Sequence, residues 1–80
     1  MKVTVLYFAG LREKMGCAEA QADAAPGTTV AELWESLRAH PALAGWTAPV
    51  GFAVNGQWTR PERALAEGDT LALLPPVSGG

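Results

Sequence analysis

The chain closes on Leu73-Leu74-Pro75-Pro76-Val77-Ser78-Gly79-Gly80, and its most promising reactive group is the carboxylate of Gly80. A carboxylate is a poor electrophile until an activating enzyme converts it to an acyl adenylate. Gly79 and Gly80 carry no β-carbon, so such a tip threads a channel too narrow for side chains and takes backbone angles that other residues resist. Pro75 and Pro76 fix φ near the polyproline value and give the chain a short stiff stem as it leaves its last strand. Beyond the stem, Val77 to Gly80 reach roughly 13 to 14 Å when extended, at about 3.3 to 3.6 Å per residue. A Gly-Gly ending alone also describes a frayed terminus. Direct attachment to a final strand through two prolines makes it specific.

The other side chains offer no comparable set. There is no G-x-x-x-x-G-K phosphate loop, no G-x-G-x-x-G after a strand, no H-E-x-x-H and no paired-cysteine motif. With His40 the only histidine and Cys17 the only cysteine, no nucleophile has a histidine-based activation scheme. His40 precedes Pro41 at a helix end, where capping or solvation suits it better than general-base work. Cys17 reads as a small turn residue between Gly16 and Ala18. Of the eight carboxylates, Glu32 is placed to cap a helix, and the rest show no acid/base spacing. The body of the domain lacks catalytic machinery of its own, and no metal site is expected.

Eighty residues, about half of them apolar, make one domain near the lower size limit for a self-sufficient core. A lone thiol fits a reducing cytoplasm, the expected location. Six basic and eight acidic residues are scattered, with no stripe for nucleic acid. The early apolar run around VTVLYFAGL alternates like a strand and meets Arg12-Glu13-Lys14, so it is not a signal-peptide core, and nothing is long enough to span a membrane.

Residues 2–8, rich in Val, Thr, Tyr and Phe, read as a first strand. LREKM, residues 11–15, has room for one or two helical turns between Gly10 and Gly16. Residues 18–24 alternate as a second strand, ended by Pro26-Gly27. Thr29 and Glu32 form a T-x-x-E capping box for a helix over 30–39, with Val30, Leu33, Trp34 and Leu37 as its buried stripe and Pro41 as its stop. Residues 41–49 make a compact connection with a further turn. Residues 51–59 form a hairpin around Asn55-Gly56, and residues 68–75 a last strand ended by proline. One main helix covers one face of a mixed sheet of four to five strands, an α+β domain with the first and last strands side by side in the centre.

If Val3, Val5 and Tyr7 face that helix, Thr4, Leu6 and Phe8 face away by the period of two, and Leu74 joins them. With Trp58 beside the hairpin turn, this outer face is too apolar for water. Either Leu6, Phe8, Trp58 and Leu74 belong to a protein interface, or residues 41–49 fold back and cover the face with Trp46. The residues alone leave both open.

VLYFAGLRE at residues 5–13, AVNG at 53–56, EGDTLALLPPV at 67–77 and the closing Gly79-Gly80 span essentially the whole chain. On these segments the sequence resembles the ubiquitin-like β-grasp sulfur carriers, most closely the small subunits of molybdopterin synthase. Pro75-Pro76-Val77 separates it from the shorter thiamine-pathway carriers, which typically lack the diproline. Leu73 and Leu74 stand where the small subunits often carry aromatics. The resemblance implies a ubiquitin-like β-grasp domain over residues 1–76 and a flexible tail over 77–80. It implies that an ATP-using partner related to ubiquitin-activating enzymes adenylates Gly80, and that a sulfur donor protein supplies the thiocarboxylate. The tail then enters the large subunit of molybdopterin synthase and gives sulfur to cyclic pyranopterin monophosphate. Two such transfers build the molybdopterin dithiolene. The chain itself would bind no cofactor. Arg12, a candidate polar contact to the large subunit, also reads as a solvated helix residue. With it, Pro75, Pro76 and Val77 extend the partner-binding set. Other readings are a β-grasp sulfur carrier or protein modifier in another pathway (thiamine, tRNA thiolation or cysteine), or an interaction domain without chemistry.

Overall fold

A computed structural model of the chain describes residues 1–76. In chain order the elements are β1 (Lys2–Tyr7), α1 (Ala9–Met15), β2 (Glu19–Asp23), α2 (Val30–Leu37), a single 3-10 turn (Pro41–Leu43), β3 (Gly51–Val54), β4 (Gln57–Thr59) and β5 (Thr70–Leu74). The strands form one mixed sheet in the order β2-β1-β5-β3-β4. The first and last strands pair in parallel, Thr4 to Thr70 through Tyr7 to Leu73. The other pairs are antiparallel.

Period two divides each strand between the two faces. Val3, Val5 and Tyr7 of β1 are buried, as are Leu71 and Leu73 of β5 and Val54 of β3. They share one core with Val30, Leu33 and Trp34 of α2 and with Leu11, Leu43 and Leu65. Leu37, the last residue of the expected helical stripe, is half-buried against that core. The helix starts where the capping box was expected. Thr29 Oγ1 accepts from the Glu32 amide at 3.2 Å, and Glu32 Oε1 accepts from the Thr29 amide at 2.9 Å. The two earlier amides, otherwise orphaned, donate to residues of the segment after β4: Val30 to the Arg63 carbonyl at 2.9 Å and Ala31 to the Pro61 carbonyl at 2.8 Å.

Several boundaries differ from the sequence reading. β1 stops at Tyr7 and α1 begins at Ala9, earlier than the expected 11–15, because Ala9 takes φ 49° and turns the chain out of the sheet. α1 ends on Gly16 at φ 74°, whose amide donates to the Arg12 carbonyl at 2.9 Å. α2 ends at Leu37 rather than 39. Ala39 and His40 donate three residues back, to Ser36 and Leu37, and His40, just before Pro41, is already extended, as a residue preceding proline prefers. His40 therefore caps the 3-10 turn, its Nδ1 accepting from the Ala42 amide at 3.0 Å. β2 is Glu19–Asp23 instead of 18–24. β5 is Thr70–Leu74 instead of 68–75, because Gly68 turns at φ 83° and Pro75 has no amide to extend the ladder.

Candidate functional site

The outer face of the sheet is built by register. Leu6 lies opposite Ala72, Ala72 opposite Ala53, and Ala53 opposite Trp58. One row of side chains thus crosses four strands away from the core. In the next row Leu74 lies opposite Gly51, and Phe8 follows β1 at the same end of the sheet. Trp58 is 73% exposed and Phe8 42%; Leu6 and Leu74 are half-buried. A β-carbon added at Gly51 would stand 3.0 Å from Trp58 Cζ3. The indole therefore lies on bare β3 backbone, an aromatic covering a glycine from the neighbouring strand. Sequence reasoning missed Gly51, Ala53 and Ala72, which floor the space between Leu6 and Trp58. Counting outward from Asn55-Gly56 places Ala53 opposite Trp58 and could have found it.

Trp46 does not cover that face. Its ring packs toward α1, where a β-carbon on Gly10 would meet Cη2 at 3.2 Å, and its Nε1 donates to the Ala48 carbonyl at 2.9 Å. With buried Leu43, this ties residues 41–49 to the helical side, and Phe8 and Trp58 stay open. Between α1 and this segment a cavity of about 330 Å³ is lined by Ala9, Gly10, Glu13, Trp46, Ala48, Pro75 and Pro76. The diproline stem therefore starts beside α1, with Pro75 half-buried and Pro76 exposed. Arg12 is exposed on α1 and borders a shallow groove with Ala9, Glu13, Gly16, Cys17 and Ala18. Val77, Gly79 and Gly80 lie outside the described residues.

A polar network holds the hairpin against β5. Asn55 and Gly56 take φ 51° and 83°, the positive angles of a two-residue hairpin turn. Asn55 Nδ2 donates to Asp69 Oδ1 at 2.9 Å, Asn55 Oδ1 accepts from the Thr70 amide at 3.0 Å, and Asp69 Oδ2 accepts from the Ala66 amide at 2.8 Å. The Asn55 and Ala66 donors hold the Asp69 carboxyl below its ordinary value of 3.8. AVNG and EGDT thus meet in space and fix the hairpin that carries Trp58. At the far end of the sheet, Lys2 pairs with Asp23 at 3.0 Å; the hydrogen bond raises the lysine and lowers the carboxyl. Tyr7 is pushed up by burial and, secondarily, by Cys17. Among the described residues, no three His, Cys, Asp or Glu side chains gather to hold a metal, and no helix is long and apolar enough to cross a membrane.

A mixed five-stranded sheet grasping one main helix, with its last strand near the centre leading to the chain end, defines the ubiquitin-like β-grasp class. The solved structure of SAMP1 from Haloferax volcanii, a small archaeal modifier protein, superposes with a TM-score of 0.87 at 32% identity, covering all of both chains. The sequence matches the ThiS family over residues 5–80, and the chain belongs to that family. It is 39% identical over 83 aligned positions to the molybdopterin synthase sulfur carrier subunit of Chlamydomonas reinhardtii, covering all of both chains. A chain from the complex of subunits 1 and 2 of the molybdopterin-converting factor of Helicobacter pylori matches with a TM-score of 0.72 at 28% identity, again over all of both chains.

Proposed function

We propose that this chain is the sulfur carrier subunit of molybdopterin synthase. The observation that carries the reading is the end-to-end match to a sulfur carrier subunit, joined to a diproline exit beside an exposed apolar sheet face. In this reading an ATP-using activating enzyme first forms a mixed anhydride between the Gly80 carboxylate and AMP, releasing pyrophosphate. Sulfide-level sulfur supplied by a donor protein then attacks the acyl carbon, AMP leaves, and a thiocarboxylate remains. The large synthase subunit docks on Leu6, Phe8, Trp58 and Leu74, with Arg12 at the margin and Pro75, Pro76 and Val77 leading the tip inward. Sulfur passes to the pterin precursor as water attacks the acyl carbon and supplies the oxygen that restores the Gly80 carboxylate, which is then ready for reactivation. The chain's own contribution is recognition and delivery, and the site of action is the cytoplasm.

The test is intact mass of the chain after incubation with an activating enzyme, ATP and a sulfur donor. One terminal oxygen replaced by sulfur is expected; an unchanged mass beside a partner that loads a control carrier refutes the reading. Deleting Gly79 and Gly80 abolishes loading and leaves the melting temperature unchanged, because glycines bring no side chain to the core, whose buried members among the described residues lie between positions 3 and 73. A second reading, as a protein modifier, draws on the likeness to SAMP1; isopeptide conjugates on lysines in cells would favour it.

A further inference from the structure

The segment after β4 begins at the tail-exit end of the sheet. Phe52 lies opposite both Thr59 and Leu73, and Gly51 opposite Leu74, so Arg60, one residue past Thr59, emerges near the level where β5 ends. Trp58, Thr59, Arg60, Glu62 and Arg63 line a groove of about 570 Å³. Arg60 and Arg63 are exposed. The close ion pairs of the described residues use Lys2 with Asp23 and Arg38 with Glu35, so neither groove guanidinium is in one, although Arg63 is near enough to Asp69 to help lower its carboxyl. Glu62 shares the groove and is likewise outside those pairs. The groove is net positive on a chain whose formal net charge is −2.

The backbone under these charges is fixed. Arg63 donates to the Arg60 carbonyl at 3.2 Å, the Pro61 and Arg63 carbonyls cap α2, and Leu65 donates to the Thr28 carbonyl at 2.9 Å. Leu65 is buried. Two long cations therefore stand on an anchored turn, next to an exposed indole. Guanidinium groups match the geometry of carboxylates and hold them through paired hydrogen bonds.

We propose that Arg60 and Arg63 form a charged margin continuous with the Trp58 face, and that it receives Asp or Glu carboxylates of the large synthase subunit. This rests on the functional reading above. Rim charges act mainly on encounter rate and its salt dependence, so that is where their effect belongs.

The experiment is stopped-flow association of the full chain with the large subunit, read by tryptophan fluorescence across ionic strengths. In low salt, Arg60→Glu/Arg63→Glu slows association about tenfold or more and flattens its salt dependence. Glu62→Gln, which removes the one acid among the described residues lining the groove, speeds association about twofold. The variants converge with wild type near 1 M salt, where the Debye length is about 3 Å. Arg60→Gln/Arg63→Gln gives an intermediate rate, and serves as the test if charge reversal disturbs the fold. On-rates and salt slopes equal to wild type in the folded variants overturn the proposal and leave the functional reading standing. A faster charge-reversed variant overturns it in favour of a basic partner surface. Failure of wild type to associate removes both.

Discussion

Trp58→Ala separates what the exposed indole does for the fold from what it does for a partner. The ring is 73% exposed. If the large subunit covers it, roughly three quarters of the ~200 Å² a tryptophan presents becomes buried, worth about 3–4 kcal/mol at ~25 cal/mol/Å². Truncation should therefore weaken the complex by two to three orders of magnitude, roughly the span of a binding hot spot. In the free domain the ring covers only Gly51 and its surroundings, and losing that contact costs about 1–1.5 kcal/mol by the same coefficient. Trp34, buried in the core, gives the contrast: Trp34→Ala should cost about 3–5 kcal/mol of folding stability. Titration calorimetry against the large subunit and differential scanning calorimetry of each variant measure the two effects. A dissociation constant for Trp58→Ala within about threefold of wild type, a difference under ~1 kcal/mol, would show that the ring stays solvated in the complex and that the outer face is not the docking surface. A melting loss equal to that of Trp34→Ala would make Trp58 structural.

Gly51→Ala places a β-carbon where the indole lies; the exposed ring swings away, the fold tolerates it, and lost preorganisation of about 0.5–1.5 kcal/mol weakens partner binding roughly threefold to tenfold, measured in the same titration. Ala9→Gly relieves a left-handed alanine at φ 49°, which raises stability by about 1 kcal/mol and the melting temperature by roughly 4–8 °C; an unchanged or lower melting point refutes strain at that position. Asp69 has a folded-state carboxyl below its ordinary 3.8, so its contribution is present above that value and fades as pH falls through the lower folded one. The melting temperature of wild type should therefore fall more steeply with acidification below about pH 4 than that of Asp69→Asn, and equal slopes refute the role given to the Asn55–Asp69 bond.

The parts legible in the sequence are those whose signals are local. Thr29 and Glu32 announce α2 because a capping box is complete within four residues. Asn55-Gly56 announces the hairpin because positive φ is required there and these residues supply it. The alternation in β1 separates Val3, Val5 and Tyr7 from Thr4 and Leu6 before any partner strand is known. What stayed illegible depends on segments far apart in the chain. Nothing local in residues 60–65 announces that their carbonyls receive the first amides of α2, since that contact exists only after the sheet closes. The direction of Trp46 follows from the missing β-carbon of Gly10, thirty-six positions earlier. The start of α1 turned on Ala9 accepting an angle that its residue type disfavours.

The position of β5 links fold to proposed role. A strand between β1 and β3 is hydrogen-bonded along both edges, so its last residue, Leu74, is held in place to a degree that an edge strand could not match. Pro75 ends the ladder there because it has no amide to give, and the chain leaves the sheet between the outer-face row of Leu74 and Gly51 and the α1 groove bordered by Trp46. In the proposed function, recognition falls on the sheet while the chemistry falls on Gly80. In that proposal, affinity set by Trp58 and encounter rate set by Arg60 and Arg63 would be separable from reactivity set by Gly80. Changes on the sheet face should therefore alter how often and how long the tip is presented, without altering the rate at which an already docked thiocarboxylate gives up its sulfur. Single-turnover transfer at saturating large subunit tests that separation: Trp58→Ala should match wild type once fully bound, and a slowed step at saturation would mean that the face also positions the tip.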